Sequence, residues 1–212
     1  LTARNKQELD QTADNTRKSG VKVWTQTAEM GNPDEVKAVG NAALAEFGHI
    51  DILVNNAGVT IPQPILETTL ENFQTIINVN VLAPFLLTQI FVPSMIAKKK
   101  GKIVNVTSRA AIRAFPTGSV YSVSKGALQL LTQSMAVEFG PHNIQTNSVA
   151  PTVTMTPMGN NAWPPSPRRD SKLAKIPTGR FAEPEEVADA VLYLASENSN
   201  FINGVELPID GG

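Results

Sequence analysis

Two rhythms alternate along the chain. Short runs rich in β-branched and aliphatic residues occupy positions 21–27, 50–55, 102–107, 144–150 and 205–209, and each reads as a strand. Between them apolar residues recur at three- and four-residue spacing, the period of a helix with one buried face. Asn32-Pro33-Asp34-Glu35 supplies an N-cap, a proline at the first helical position and an acidic first turn. The helix it opens carries Val36, Val39, Ala43, Leu44 and Phe47 and stops at Gly48. Thr68-Thr69-Leu70-Glu71 reads as a capping box before a long apolar helix, in which Pro84 marks a bend and Pro93 an end. A further helix runs from Tyr121 through Lys125, Leu128, Leu131 and Met135 to Gly140. The last, opened by Glu183-Pro184, sets Val187, Val191 and Leu194 on one face. Glu8 and Leu9 fall in a helix that follows Leu1-Thr2-Ala3-Arg4, the tail of a strand. This alternation predicts a single α/β domain, a parallel sheet with helices on both faces.

The order breaks at residues 151–175. Prolines at 151, 157, 164, 165 and 167 interrupt any continuous pattern there, and we read an irregular loop of the kind that closes over a site. Repeats and a second domain are not evident. With 212 residues, 42% of them hydrophobic, the chain can bury one substantial core. A formal net charge of −1 gives no electrostatic case for nucleic acid or an anionic membrane. Lys98-Lys99-Lys100, the one basic run, suits a solvated helix C-terminus. No uninterrupted apolar run approaches the roughly 20 residues of a membrane span, and no signal peptide opens the sequence. The absence of cysteine excludes disulfides and thiolate metal sites and fits a reducing compartment, so a cytoplasmic setting is expected. His49 and His142 read as turn residues without ligand spacing.

Chemistry gathers at three residues. Tyr121 and Lys125 are four apart and share a helix face. A tyrosine, with an ordinary pKa of ~10, is a poor acid–base catalyst at neutral pH, and a nearby cation favours its phenolate. Ser108 ends an apolar strand upstream, where its hydroxyl could hold a carbonyl oxygen. Together they make a proton-delivery site for carbonyl/alcohol chemistry. A half-buried tyrosine beside a solvated lysine would show the same spacing, so the pair alone does not decide. Asn55-Asn56-Ala57-Gly58, taken alone, reads as a strand-ending turn before it reads as a cofactor contact. Asn80, in an otherwise apolar helix, needs a hydrogen-bond partner wherever it lies.

In register, these motifs resemble the short-chain dehydrogenase/reductase family over essentially all 212 residues. Asn55-Asn56-Ala57-Gly58, Asn80, Ser108, Tyr121 and Lys125 match its motifs in order. The resemblance implies a Rossmann-like, doubly wound parallel sheet. The glycine-rich turn of such folds is absent, so the first β-α unit is expected to lie outside this chain. It implies that Tyr121 donates the proton to a carbonyl, that Ser108 orients it, and that Lys125 lowers the Tyr121 pKa and binds the nicotinamide ribose. Asn80 would distort its helix and place a water beside Lys125. Asn56, Ala57 and Gly58 would meet the cofactor, as would Thr154 and Thr156 at the nicotinamide carboxamide. Ala3 stands where an acidic residue would select NAD, and Arg4 follows it, which implies NADP(H).

The stretch from Pro151 through Trp163, with Ile176-Pro177-Thr178-Gly179 and Gly140-Pro141-His142, is similar to the L-xylulose (dicarbonyl) reductase branch. The expected substrate is then a small ketose, dicarbonyl or related ketone. The alternatives are a broad carbonyl or 3-oxoacyl reductase on the same residues, and a catalytically silent binding or scaffold member. Trp163 is either a wall of the substrate pocket or a staple of the loop. Relatives pair their long helices, so a homodimer or homotetramer is implied, and the apolar stretch 79–96 is compatible with it.

Overall fold

The computed structural model describes residues 1–212. Its strands are β1 (Thr2–Ala3), β2 (Gln26–Thr27), β3 (Ile52–Asn55), β4 (Gly101–Val106), β5 (Ile144–Pro151) and β6 (Glu206–Ile209). β1 pairs with β2, and β3-β4-β5-β6 form a second ladder; every pairing is parallel. Parallel neighbours need helical crossovers, and these are α1 (Lys6–Arg17), α2 (Pro33–Phe47), α3 (Leu70–Ile77), α4 (Ala83–Lys98), α5 (Ser119–Phe139) and α8 (Pro184–Ala195), with α6 (Pro157–Ala162) and α7 (Pro167–Leu173) between β5 and α8. This is the expected doubly wound α/β arrangement.

The period-2 alternation of the strands separates two cores. Ile103 of β4 points into a cluster with Val36, Val39, Leu53, Phe91 and Met95, between the sheet and α2 and α4. Val104, its neighbour, points the other way and meets Val149 and Leu194 beneath α8. Burying a large aliphatic side chain contributes about 1.5–3 kcal/mol, so these layers set the position of every strand end above them.

Helix ends follow the expected chemistry with small shifts. Asn32 caps α2 by accepting from the Asp34 N–H, and Gly48 closes it at φ 75°. The α3 cap is Thr69 rather than Thr68, and Asn72 takes the expected place of Glu71. Pro93 does not end its helix: α4 continues to Lys98. Residues 21–25 lie outside β2, which pairs with β1 over Gln26–Thr27 while the Gln26 N–H donates to the Leu1 carbonyl. Strand β3 is buried on one face only; Ile52 and Val54 are exposed, since α8 packs on β4, β5 and β6.

Two larger corrections concern whole segments. The proline-rich loop is largely helical. Thr156 and Ser166 cap α6 and α7, and Pro157 and Pro167 take the first helical position, where a missing N–H costs nothing. The stretch Leu70–Lys98 forms one helical run of 29 residues, long and apolar enough by composition to cross a membrane. Polar residues break its apolar runs, so a reading by uninterrupted runs passed over it. Half of its most apolar stretch is buried inside the fold, and α4 packs against α2 and the sheet, as in a core helix.

Candidate active site

Every candidate catalytic residue lies at or just beyond the carboxyl ends of the strands, where open parallel sheets bind ligands. Ser108 follows β4 and accepts the Ala110 N–H at 3.1 Å. Tyr121 and Lys125 lie on the first turns of α5. Between them and β4, Pro116 and Thr117 make a turn in which Thr117 has φ 63°, a costly conformation for a β-branched residue. The Thr117 carbonyl accepts the Gln63 N–H at 2.9 Å, tying that turn to the segment after β3.

Lys125 is 3% exposed. Its ammonium donates to the Val106 carbonyl at 2.8 Å, and burial lowers its pKa from 10.5 to about 8. It sits 5.9 Å from the centre of the Tyr121 ring. The Tyr121 phenol is pushed above its ordinary value by burial, and a hydrogen bond with Ser108 works in the opposite direction. Loss of hydration sets the direction of the Tyr121 shift in this structure. Ser108 and Tyr121 nevertheless interact, and Lys125 lies beneath them.

Asn80 is wholly buried at the centre of a π-helical turn, Asn78–Leu82, that joins α3 to α4. Pro84 has no N–H to give to the carbonyl four residues back, which is Asn80. The Asn80 side chain clamps two other segments. Its Oδ1 accepts the Val59 N–H at 2.8 Å, and its Nδ2 donates to the Val59 carbonyl and to Ser124 Oγ. Ser124 in turn donates to the Tyr121 carbonyl at 2.7 Å. A second chain runs from Asn55 Nδ2 to Asn105 Oδ1 and from Asn105 Nδ2 to Thr132 Oγ1, both at 2.8 Å. Sequence reasoning passed over Ser124, Asn105 and Thr132; their signal was a polar residue inside an apolar strand or helix, the clue that singled out Asn80.

Asn56 and Ala57 are exposed beyond β3, and Gly58 is partly buried. A Cβ on Gly58 would come within 3.2 Å of Lys125 Nζ and 3.5 Å of Asn80 Oδ1. Lys125 has two further protons beyond the one given to Val106, so the Gly58–Lys125 cradle fits a polyhydroxyl group such as a ribose. Arg4 is exposed at the end of β1, with Nη1 3.5 Å from Glu29 Oε2. Thr154 Oγ1 makes only a 3.4 Å contact with the Thr152 carbonyl, whereas the Thr156 hydroxyl caps α6 by accepting the Gly159 N–H. Trp163 packs at 6.2 Å from Phe181, with Arg168 4.3 Å over its ring, and its carbonyl accepts from Arg169. These contacts fit a staple of the loop.

A family model described as enoyl-(acyl carrier protein) reductase matches residues 1–212. L-xylulose reductase of Mesocricetus auratus is 48% identical over 171 residues, 80% of this chain and 70% of that protein. Among solved structures, a gluconate 5-dehydrogenase from Burkholderia cenocepacia in complex with NADP and tartrate superposes with a TM-score of 0.92 at 31% identity, covering all of this chain and 83% of that one. An NAD+-bound xylitol dehydrogenase reaches 0.93 at 26% identity, covering all of this chain and 87% of that one. The chain belongs to the short-chain dehydrogenase/reductase family, whose members are oxidoreductases.

Proposed function

We propose that the protein is an NADP(H)-dependent reductase of a small ketose, dicarbonyl or related ketone, with Tyr121 as proton donor. The observation that carries this reading is the grouping of the Tyr121 phenol and the Ser108 hydroxyl above a fully buried Lys125, at the carboxyl ends of a parallel sheet. Bound against Gly58, the nicotinamide cofactor would supply the hydride. Lys125 binds its ribose hydroxyls with the two protons not given to Val106, and Arg4 pairs with the 2′-phosphate, exchanging Glu29 for a stronger anion. Asn56 and Ala57 border that cofactor, and Thr154 holds its carboxamide; Thr156 acts there by shaping the loop through its cap. Ser108 donates to the substrate carbonyl oxygen and Tyr121 delivers the proton to it. Asn80, by distorting its helix, would place a water beside Lys125 that could return that proton. The similarity to L-xylulose reductase supports the substrate class, and the NADP-bound neighbour supports the cofactor.

The same reading extends to assembly and setting. Phe85 on α4 and Val123, Leu130 and Val137 on α5 are exposed apolar residues, a surface suited to pairing with a second copy as a dimer or tetramer. A cysteine-free composition agrees with a cytoplasmic setting. The test is Tyr121→Phe, assayed with NADPH and 2,3-butanedione or L-xylulose. Turnover should fall roughly 100- to 10,000-fold while NADPH still binds. Near-normal turnover would refute the assignment.

A further inference from the structure

Glu206 carries a carboxylate into the fold with no cation to meet it. It is half-buried on β6, and no lysine, arginine or histidine lies within ion-pairing distance. Both of its oxygens are nevertheless engaged. Oε1 lies 2.8 Å from Thr107 Oγ1, and Oε2 accepts from Gln129 Nε2 at 2.8 Å. The Thr107 hydroxyl is also 2.9 Å from the Val149 carbonyl, which already accepts the Thr107 N–H. Its single proton goes to the charged acceptor, where the bond is stronger.

Strand register explains how one side chain reaches both partners. Asn105, Ser148 and Glu206 are level across β4, β5 and β6, so they face the same side of the sheet. Alternation puts Thr107 and Ala150 on that side too. Ser148 and Ala150 are small, which lets the longer Glu206 side chain cross β5. Helix α5 covers this side: Thr132 meets Asn105, and Gln129, one turn earlier, meets Glu206.

Three consecutive residues at the end of β4 are thus tied to α5. Val106 accepts from Lys125 at 2.8 Å, Ser108 interacts with Tyr121, and Thr107 between them reaches Gln129 through Glu206. Tyr121, Lys125 and Gln129 recur at a spacing of four and share a helix face. Ser108 and Tyr121 give up their mutual contact when both turn to a substrate carbonyl. The Glu206 bridge contains no reacting group and persists.

Resting on the carbonyl-reductase reading, we propose that Glu206 is a positioning residue for that reaction. Its carboxylate, holding Thr107 and Gln129, fixes the end of β4 against α5 and thereby the spacing of Ser108 and Tyr121 while both engage the carbonyl.

Reduction of 2,3-butanedione and L-xylulose with NADPH tests this in wild type, Glu206→Met, Gln129→Glu and the exchanged pair Glu206→Gln/Gln129→Glu. Methionine keeps the length and removes both acceptors. Gln129→Glu sets carboxylate against carboxylate. In the exchanged pair, the amide now on β6 accepts from Thr107 and donates to the carboxylate now on α5, so the bridge is rebuilt. Each single variant should lower kcat about tenfold or more, with KM and the NADPH dissociation constant within about twofold of wild type, as misplacement of a reacting group does. The exchange should recover most of that loss. A residue that only stabilises the fold would lower the melting temperature and leave kcat at room temperature unchanged, and that result overturns the proposal. So does an exchanged pair no more active than Gln129→Glu alone. If Glu206→Met does not fold, the other two variants decide. A wild-type protein that reduces neither compound removes the carbonyl-reductase reading and this inference with it, whereas an active wild type with indifferent variants removes this inference alone.

Discussion

Replacing Lys125 with methionine should make the fold more stable at neutral pH and less stable at high pH. The side chain is 3% exposed, and burial lowers its pKa from 10.5 to about 8. At ~1.4 kcal/mol per pH unit, that difference corresponds to about 3 kcal/mol by which folding disfavours the charged amine. Methionine has nearly the same length and no charge, so Lys125→Met removes this penalty. It also leaves the Val106 carbonyl without its donor, at a cost of about 1–2 kcal/mol. The net gain at pH 7 is then about 1–2 kcal/mol.

The sign of the pH dependence follows from where the protons sit. Between about pH 8 and 10.5 the unfolded wild-type chain holds a proton on Lys125 that the folded chain has released. Raising the pH through this window therefore stabilises wild type relative to the variant. Above it the penalty has vanished and only the orphaned carbonyl remains, so the variant becomes the less stable of the two. Urea unfolding of both proteins at pH 7 and pH 10.5, followed by the fluorescence of Trp24 and Trp163, measures the crossing. A stability difference that does not change with pH would show that Lys125 is not desolvated, and the reasoning would fail.

Three further outcomes follow from other parts of the site. Arg4→Asp should weaken NADPH binding far more than NADH binding, by roughly tenfold or more in ratio, because it removes a phosphate partner and adds repulsion; equal losses in a fluorescence titration would show that Arg4 does not read the 2′-phosphate. Gly159→Ala should raise KM and cost about 1–3 kcal/mol of stability, since its Cβ would meet the Thr154 carbonyl oxygen in an overlap no rotamer relieves; an unchanged KM and melting temperature would count against a loop anchored there. With Trp163 packed between Phe181 and Arg168, its emission should change little when substrate binds to the cofactor-loaded protein, and a large shift would return the loop to the role of a mobile lid.

Most of the architecture was legible because it depends on local chemistry. Asn32, Pro33 and Gly48 bound α2 by capping rules that need no tertiary information, and the alternation of Ile103 and Val104 separates the two cores by the geometry of a strand alone. The errors come from signals read one residue at a time, whose meaning is set by a neighbour in the chain or in the fold. Pro93 reads as a stop, yet packing of Val92 and Met95 carries α4 through it. Prolines 157 and 167 read as breakers, yet each stands behind a capping Thr or Ser and begins a helix. At the site, the spacing of Tyr121 and Lys125 forecast their shared face, but spacing carries no information about hydration. The raised pKa of Tyr121 and the lowered pKa of Lys125 both come from burial by other elements.

Burial also accounts for the polar residues around the catalytic group. A dry pocket for Lys125 needs walls on every side, and here they come from β4, the turn after β3 and the π-helical turn before α4. Apolar contacts alone would let these segments slide, whereas a buried hydrogen bond is costly to leave unmade and fixes register. Asn80 joins two of those walls to α5, through Val59 on one side and Ser124 on the other, and Ser124 ends the chain on the Tyr121 carbonyl itself. The main chain at Tyr121 is therefore held by three residues that touch no substrate, Val59, Asn80 and Ser124. Of these only Asn80 stands out in the sequence, because a serine in a helix and a valine after a turn are ordinary until the fold brings them together.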